Sequence, residues 1–141
     1  MGVIEGRTWL EVIGPDECWA LLGREEIGRL AVLVGGVPEI YPVNFALDGH
    51  AVLFRTDPGS KLRGLVRSPT VCFEVDGIDA ATKLGWSVML KGTATELSTA
   101  TTVAPASKVP LHHWAYGEKV HWIRIEPFEV SGRRIYRPGT S

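Results

Sequence analysis

Residues 27–56, IGRLAVLVGGVPEIYPVNFALDGHAVLFRT, decide the fold. Three runs rich in β-branched and aliphatic residues are separated by Gly35-Gly36 and by Asp48-Gly49. Both dipeptides supply the positive φ that two-residue hairpin turns require, so three antiparallel strands in a meander are the economical reading. Upstream, DECWALLGRE follows Gly14-Pro15 and puts Cys18, Leu21 and Leu22 at helical spacing. Asp16 is set to cap that helix and Gly23 to end it. Downstream, SKLRGLVRS carries an apolar stripe of Leu62, Leu65 and Val66, with Ser60 as the N-cap candidate and Pro69 as the stop. TVCFEVDG and GWSVMLKGTATEL return to strand, Gly92 marking a bulge or bend. HWIRIEPFEVSGRRIYR closes the chain as strand material interrupted at Pro127 and Gly132.

Six or seven strands, nearly all joined by short turns, and two short helices make a mainly β chain. The absence of βαβ alternation excludes a doubly wound parallel sheet. A small antiparallel barrel is the natural closure, because it removes exposed strand edges. We read one domain, residues 3–137.

Composition narrows the function classes. Lys and Arg number 15 against 16 for Asp and Glu, which argues against a domain built to neutralise nucleic-acid phosphates. Any anion binding is therefore expected to be local. Cys18 and Cys72 show no metal-ligand spacing and read as buried thiols in a reducing compartment. The adjacent His112 and His113 point to opposite faces of any regular strand and lack a neighbouring Cys or carboxylate, so no metal site is expected. There is no apolar run of 18 residues and no signal-like core, so neither membrane insertion nor secretion is expected and a cytoplasmic location is.

The chemistry concentrates in residues 54–61, FRTDPGSK. A strand ends at Thr56, Asp57-Pro58-Gly59 turns the chain, and Ser60-Lys61 opens a helix. Backbone N–H groups at a helix start attract anions. Arg55 offers a planar fork, Lys61 a point charge, Thr56 and Ser60 hydroxyl donors. The same pattern also fits a capped, solvated junction, and the spacing does not choose between them. It is not a GxxxxGK[ST] loop.

PVNF (42–45), FRTDPGSK and GWSV (85–88), in that order and spacing, resemble the pyridoxamine 5′-phosphate oxidase-like FMN-binding split-barrel superfamily. The branch it is most similar to is that of small actinobacterial flavoproteins with nitroimidazole-reductase-like members. The resemblance runs from about Asp16 to Arg134. It implies a homodimer of split β-barrels with FMN at the interface. Arg55, Thr56, Ser60 and Lys61 match residues holding the FMN phosphate. Pro42, Val43 and Asn44 match the strand along the isoalloxazine ring, and Glu74 a position facing the ring or ribityl chain. Trp86 and Ser87 match an element approaching the flavin from the partner subunit, with Trp122 or Arg124 as further contributors across the interface.

The expected function is thus that of an FMN-dependent oxidoreductase, or at least a flavin-binding dimer, passing hydride from a nicotinamide donor to a small organic acceptor. The cofactor would carry the chemistry, and no catalytic acid or base is named. Two alternatives stay open. One is a deazaflavin coenzyme, for which only Arg63, Arg67 and Lys83 offer scattered basic charge. The other is a non-catalytic flavin or haem carrier, with His50, His112, His113 or His121 as an axial ligand. The loop over residues 98–120, with Trp114 and Tyr116, is the candidate wall over the substrate side. SGRRIYRPGTS does not resemble the C-terminal substrate-binding segment of the true oxidases, so their own reaction is not expected.

Overall fold

Gly35 and Gly36 take φ of 59° and 81°, and Gly49 takes 61°, so the two hairpin turns form where the glycines allow them. In the computed structural model they join β3 (Ile27–Val34), β4 (Val37–Leu47) and β5 (Val52–Thr56) into the expected meander. The structure describes residues 2–5, 8–97 and 121–136, with 2–5, 8, 9 and 136 described by their backbone only. Before the meander come β1 (Gly2–Glu5), β2 (Thr8–Ile13) and α1 (Pro15–Leu22). After it come α2 (Ser60–Arg67), β6 (Thr70–Ile78), β7 (Gly85–Glu96) and β8 (His121–Tyr136).

The strand order is β1-β2-β8-β5-β4-β3-β6-β7, and β8 pairs with β7 as well. That extra pairing closes β3 to β8 into a ring, every neighbouring pair antiparallel, with the β1–β2 hairpin attached along β8. The architecture is therefore mainly β, a partly closed barrel with two short helices. It has eight strands among the described residues, one more than the upper sequence reading. The N-terminal hairpin, whose short runs carry no strong turn dipeptide, adds two strands, and the last stretch is one strand where the upper reading counts two.

β8 is one strand of 16 residues rather than an interrupted one. Its register against β7 shifts between Lys91 and Gly92, because Lys91 faces Glu129 while Gly92 faces Pro127. Phe128 is the extra residue of a bulge, which accommodates a proline inside a strand. Gly132 admits α1: a Cβ there would stand 2.6 Å from the Cys18 sulfur.

The helix caps differ from the sequence reading. Gly14 and Gly59 occupy the N-cap positions, neither helix has a side-chain cap, and Asp16 and Ser60 fall inside the first turn. Asp16 there still complements the helix dipole. The barrel interior is filled by Leu30, Phe45, Phe54, Phe73, Val75, Leu90, Ile123 and Ile125, with Leu21 and Leu22 from α1 and Leu65 from α2.

Helix α2 lies close on β3, where a Cβ on Gly64 would meet the Leu33 carbonyl oxygen at 2.6 Å. Helix propensity favours alanine over glycine by about 1 kcal/mol, but this neighbour is backbone and cannot yield easily. Gly64→Ala should therefore destabilise the fold by roughly 1–3 kcal/mol. Thermal unfolding, expected to show a lowered midpoint, checks this.

Candidate functional site

Strand alternation sorts the predicted residues by face. Val43, Phe45, Phe54, Phe73, Val75, Val88 and Ile123 are buried in the interior. Their neighbours Pro42, Asn44, Arg55, Glu74, Ser87 and Trp122 accordingly point out of the barrel. Val43 is itself core, Thr56 is 5% exposed, and Trp86 packs against the core cluster. Gly77 gives the Trp86 indole its room, since a Cβ there would lie 2.7 Å from Nε1.

Two outward rows cross the sheet. The first is Met89, Glu74, Arg29 and Pro42, in register across β7, β6, β3 and β4. The second joins Ser87 to Asp76 and Ile27 to Asn44, with Asp76 two residues beyond the last β6–β3 pair, Arg29–Glu74. Beyond Asn44 the face continues to Arg55 and Trp122, which are paired across β5 and β8. The Arg55 guanidinium stands 5.5 Å from the Trp122 ring centroid, within cation–π range.

At the end of β5 the chain turns into α2. The first-turn N–H groups of α2 have no side-chain cap, and nothing lies within 4 Å of a Cβ position on Gly59. Lys61 Nζ lies 5.4 Å from the centroid of the Tyr41 ring. Burial pushes the Lys61 ammonium down from its usual value, with Asp57 opposing. Thr56 Oγ1 donates to the Asp57 carbonyl at 3.2 Å, and Ser60 Oγ accepts from Arg63 at 3.3 Å. Arg55, Thr56, Ser60 and Lys61 are thus brought to one corner. A cation, an aromatic-backed guanidinium and open helix N–H groups are what a phosphate group requires.

Sequence reading missed Arg29 and Asp76. Arg29 Nη1 lies 3.5 Å from Glu74 Oε1 and 3.4 Å from Asp76 Oδ2. Burial, then a hydrogen bond to Asp76 and its charge, push the Glu74 carboxyl up to about 7, with Arg29 opposing. The E-x-D spacing on an alternating strand was the available signal, but the arginine comes from 45 residues away in sequence (74 minus 29). Arg124 is engaged by Asp48 and Glu126.

His50 stacks on Trp19 with ring centroids 4.4 Å apart, and His121 is hydrogen-bonded to Glu96. His112, His113, Trp114 and Tyr116 lie outside the described residues. Among the described residues no group of three or more His, Cys, Asp or Glu could hold a metal, and no helix is long and apolar enough to cross a membrane.

Comparisons with known proteins identify the family. A family model described as pyridoxamine 5′-phosphate oxidase matches residues 14–134. The chain belongs to that family. A protein of Mycobacterium tuberculosis, uncharacterized protein Rv0080, is 34% identical over 125 residues, 85% of this chain and 82% of its own length. The structure of the FAD binding protein from Mycobacterium smegmatis is 34% identical with a TM-score of 0.73, and the match covers 89% of this chain and 99% of that one. A Corynebacterium diphtheriae protein of unknown function is also 34% identical, with a TM-score of 0.77 and coverage of 90% and 98%.

The Glu74 carboxyl gives stability a defined pH dependence. Its folded value, about 7, lies above the ordinary 4.5, so the folded state holds the proton more tightly than the unfolded chain. Its contribution is full below about pH 4.5 and is lost as pH rises through 7. Allowing for solvent screening, the loss should be of order 1 kcal/mol. Urea unfolding of the protein and of Glu74→Gln at pH 5 and pH 8 should show the difference between them shrinking by about that amount.

Proposed function

We propose that the protein is a flavin-dependent oxidoreductase whose cofactor is anchored by its phosphate at the β5–α2 corner. The observation that carries the reading is that Arg55 and Lys61 flank the turn into the uncapped start of α2, Arg55 against Trp122 on the outward face that bears Pro42 and Asn44 and Lys61 beside Tyr41. The residues fit such a ligand. The corner supplies positive charge for a phosphate, Asn44 a donor and an acceptor for a pyrimidine edge, and the outward rows a flat wall beside it.

Each residue then has a physical task. Lys61 and Arg55 neutralise the phosphate, and the Trp122 ring holds the guanidinium in place. Thr56, tied to Asp57 from inside the barrel, fixes the turn that aims the helix start. Bound flavin would supply the hydride chemistry, taking electrons from a nicotinamide donor and passing them to a small organic acceptor. The chain's part is to bind, orient and shield.

A single compact phosphate corner favours FMN. FAD is the second reading, favoured by the M. smegmatis relative, which is described as an FAD binding protein. The outward face also supports assembly into a homodimer. Ile27 is 54% exposed, Leu33 40% and Ile40 69%, on adjacent strands of the face carrying the ligand rows. Apolar side chains so grouped are suited to burial against a second copy.

The double variant Arg55→Ala/Lys61→Ala removes two charge-assisted contacts, together about 3 kcal/mol or more, so FMN affinity should fall about 100-fold or further. The circular dichroism spectrum should not change. Fluorescence titration of FMN and FAD checks the reading, and unchanged affinity for both would overturn it. Sedimentation should give a dimer that Ile40→Asp converts to monomer, since the substitution places a charge in the covered face.

A further inference from the structure

Glu74 and Asp76 are two positions apart on β6 and share its outward face, flanked by the buried Phe73 and Val75. Their side chains are 34% and 27% exposed, and Arg29 from β3 lies within 3.5 Å of both. Two carboxylates this close repel, and one guanidinium balances one of them. With one proton on the pair, the Glu74–Asp76–Arg29 triad is neutral. With none, it carries one negative charge.

β7 presents the uncharged Met89 opposite Glu74 and Ser87 opposite Asp76. Lys91, opposite Cys72 and further along β7, is paired with Glu129 at 3.2 Å. Arg133 of β8 faces Ser87 across the next ladder. β3 adds Arg29 and the apolar Ile27. β4 adds Pro42 and Asn44, neither of which titrates. Among the described residues, Arg29 is therefore the cation within ion-pair distance of the pair. Glu74 lies two strand spacings, about 10 Å, from Pro42 in the same row.

Resting on the flavin reading above, we propose that this triad makes ligand binding proton-linked: the neutral, singly protonated pair is the form that accepts the flavin nucleotide, and binding takes up a proton when the pair is ionised. Two effects act in the same direction. Covering the face removes water from the carboxyls, which penalises the doubly ionised state. The ligand's phosphate adds negative charge, which penalises it again. The Glu74 carboxyl already titrates near neutrality in the uncovered face, so the linkage operates around pH 7–8.

The test is FMN binding by calorimetry between pH 7 and 8.5, above the second phosphate pKa near 6. If covering raises the Glu74 value by a further unit, affinity should fall about fourfold across that range. Runs at pH 7.5 in two buffers of different ionisation enthalpy should show uptake of about half a proton per site. Glu74→Gln, which mimics the protonated acid, should take up almost none and lose most of the affinity decline. Equal declines in both proteins, or wild-type uptake below about 0.1 proton, would overturn the proposal, and the wild-type measurement stands even if the variant fails to fold. Absence of FMN binding at every pH would instead remove the flavin reading beneath it.

Discussion

β8 forms ladders on both edges, with β7 along one and with β5 and then β2 along the other. Without that double pairing, β5 and β7 would be open edges and the meander would be a curved sheet with one apolar face in water. The strand's length makes it feasible, and the bulge at Phe128 makes it geometrically sound, because one extra residue bends and twists the strand as it passes between ladders. Pro127 falls at that bulge, where the ladder is already irregular, so its missing N–H does not break a regular run. Gly132 then lets α1 sit against the same strand, and Cys18 fills the space a side chain would have taken. The closed interior, the placement of β5 beside Trp122 and the direction in which the chain leaves Thr56 all follow.

Two physically different halves meet at the site. The β5–α2 corner is electrostatic, with fixed positive groups and uncapped amides gathered where the barrel ends. The sheet face is mixed, with apolar Met89, Pro42, Ile27 and Trp122 set among polar groups and one compact charged triad. Strand alternation keeps the halves from interfering. Val43, Thr56 and Trp86 face inward and hold the backbone, while Pro42, Asn44, Arg55, Ser87 and Trp122 present chemistry on the other side. A ligand with an anionic tail and a flat apolar head matches that division.

Much of this was legible in the sequence because it depends on local chemistry. Gly35-Gly36 and Gly49 specify their turns through positive φ, Gly92 announced the bulge, and FRTDPGSK showed its cations and its turn in eight residues. What escaped was set by distant partners. Pro127 reads as a break unless its register against Gly92 is known. The caps at Gly14 and Gly59 escaped because Asp16 and Ser60 are stronger cap formers by type, yet Pro15 starts the first helix two residues earlier and the Pro58-Gly59 turn starts the second one residue earlier. The β1–β2 hairpin exists because β8 offers it an edge. Arg29 belongs to the acid pair only after β3 is laid beside β6, and no window along the chain contains all three residues.

The ring is not uniformly sewn. The β3–β4 hairpin is ladder-paired from Ile27–Asn44 to Val34–Val37, but its ladders to the rest of the ring are two short seams: Arg29–Ala31 against Cys72–Glu74, and Phe45–Leu47 against Val52–Phe54. The seams to either side of these are longer. Local opening favours segments with the fewest cross-strand bonds, so this hairpin is the unit that parts first from an otherwise continuous wall. The site straddles both seams, with Glu74 and Arg29 across one and Asn44 and Arg55 beside the other. A molecule lying over that face stitches the hairpin to its neighbours. Occupancy then suppresses the breathing of the barrel, and the hairpin amides of β3 and β4 become a direct record of whether the face is filled.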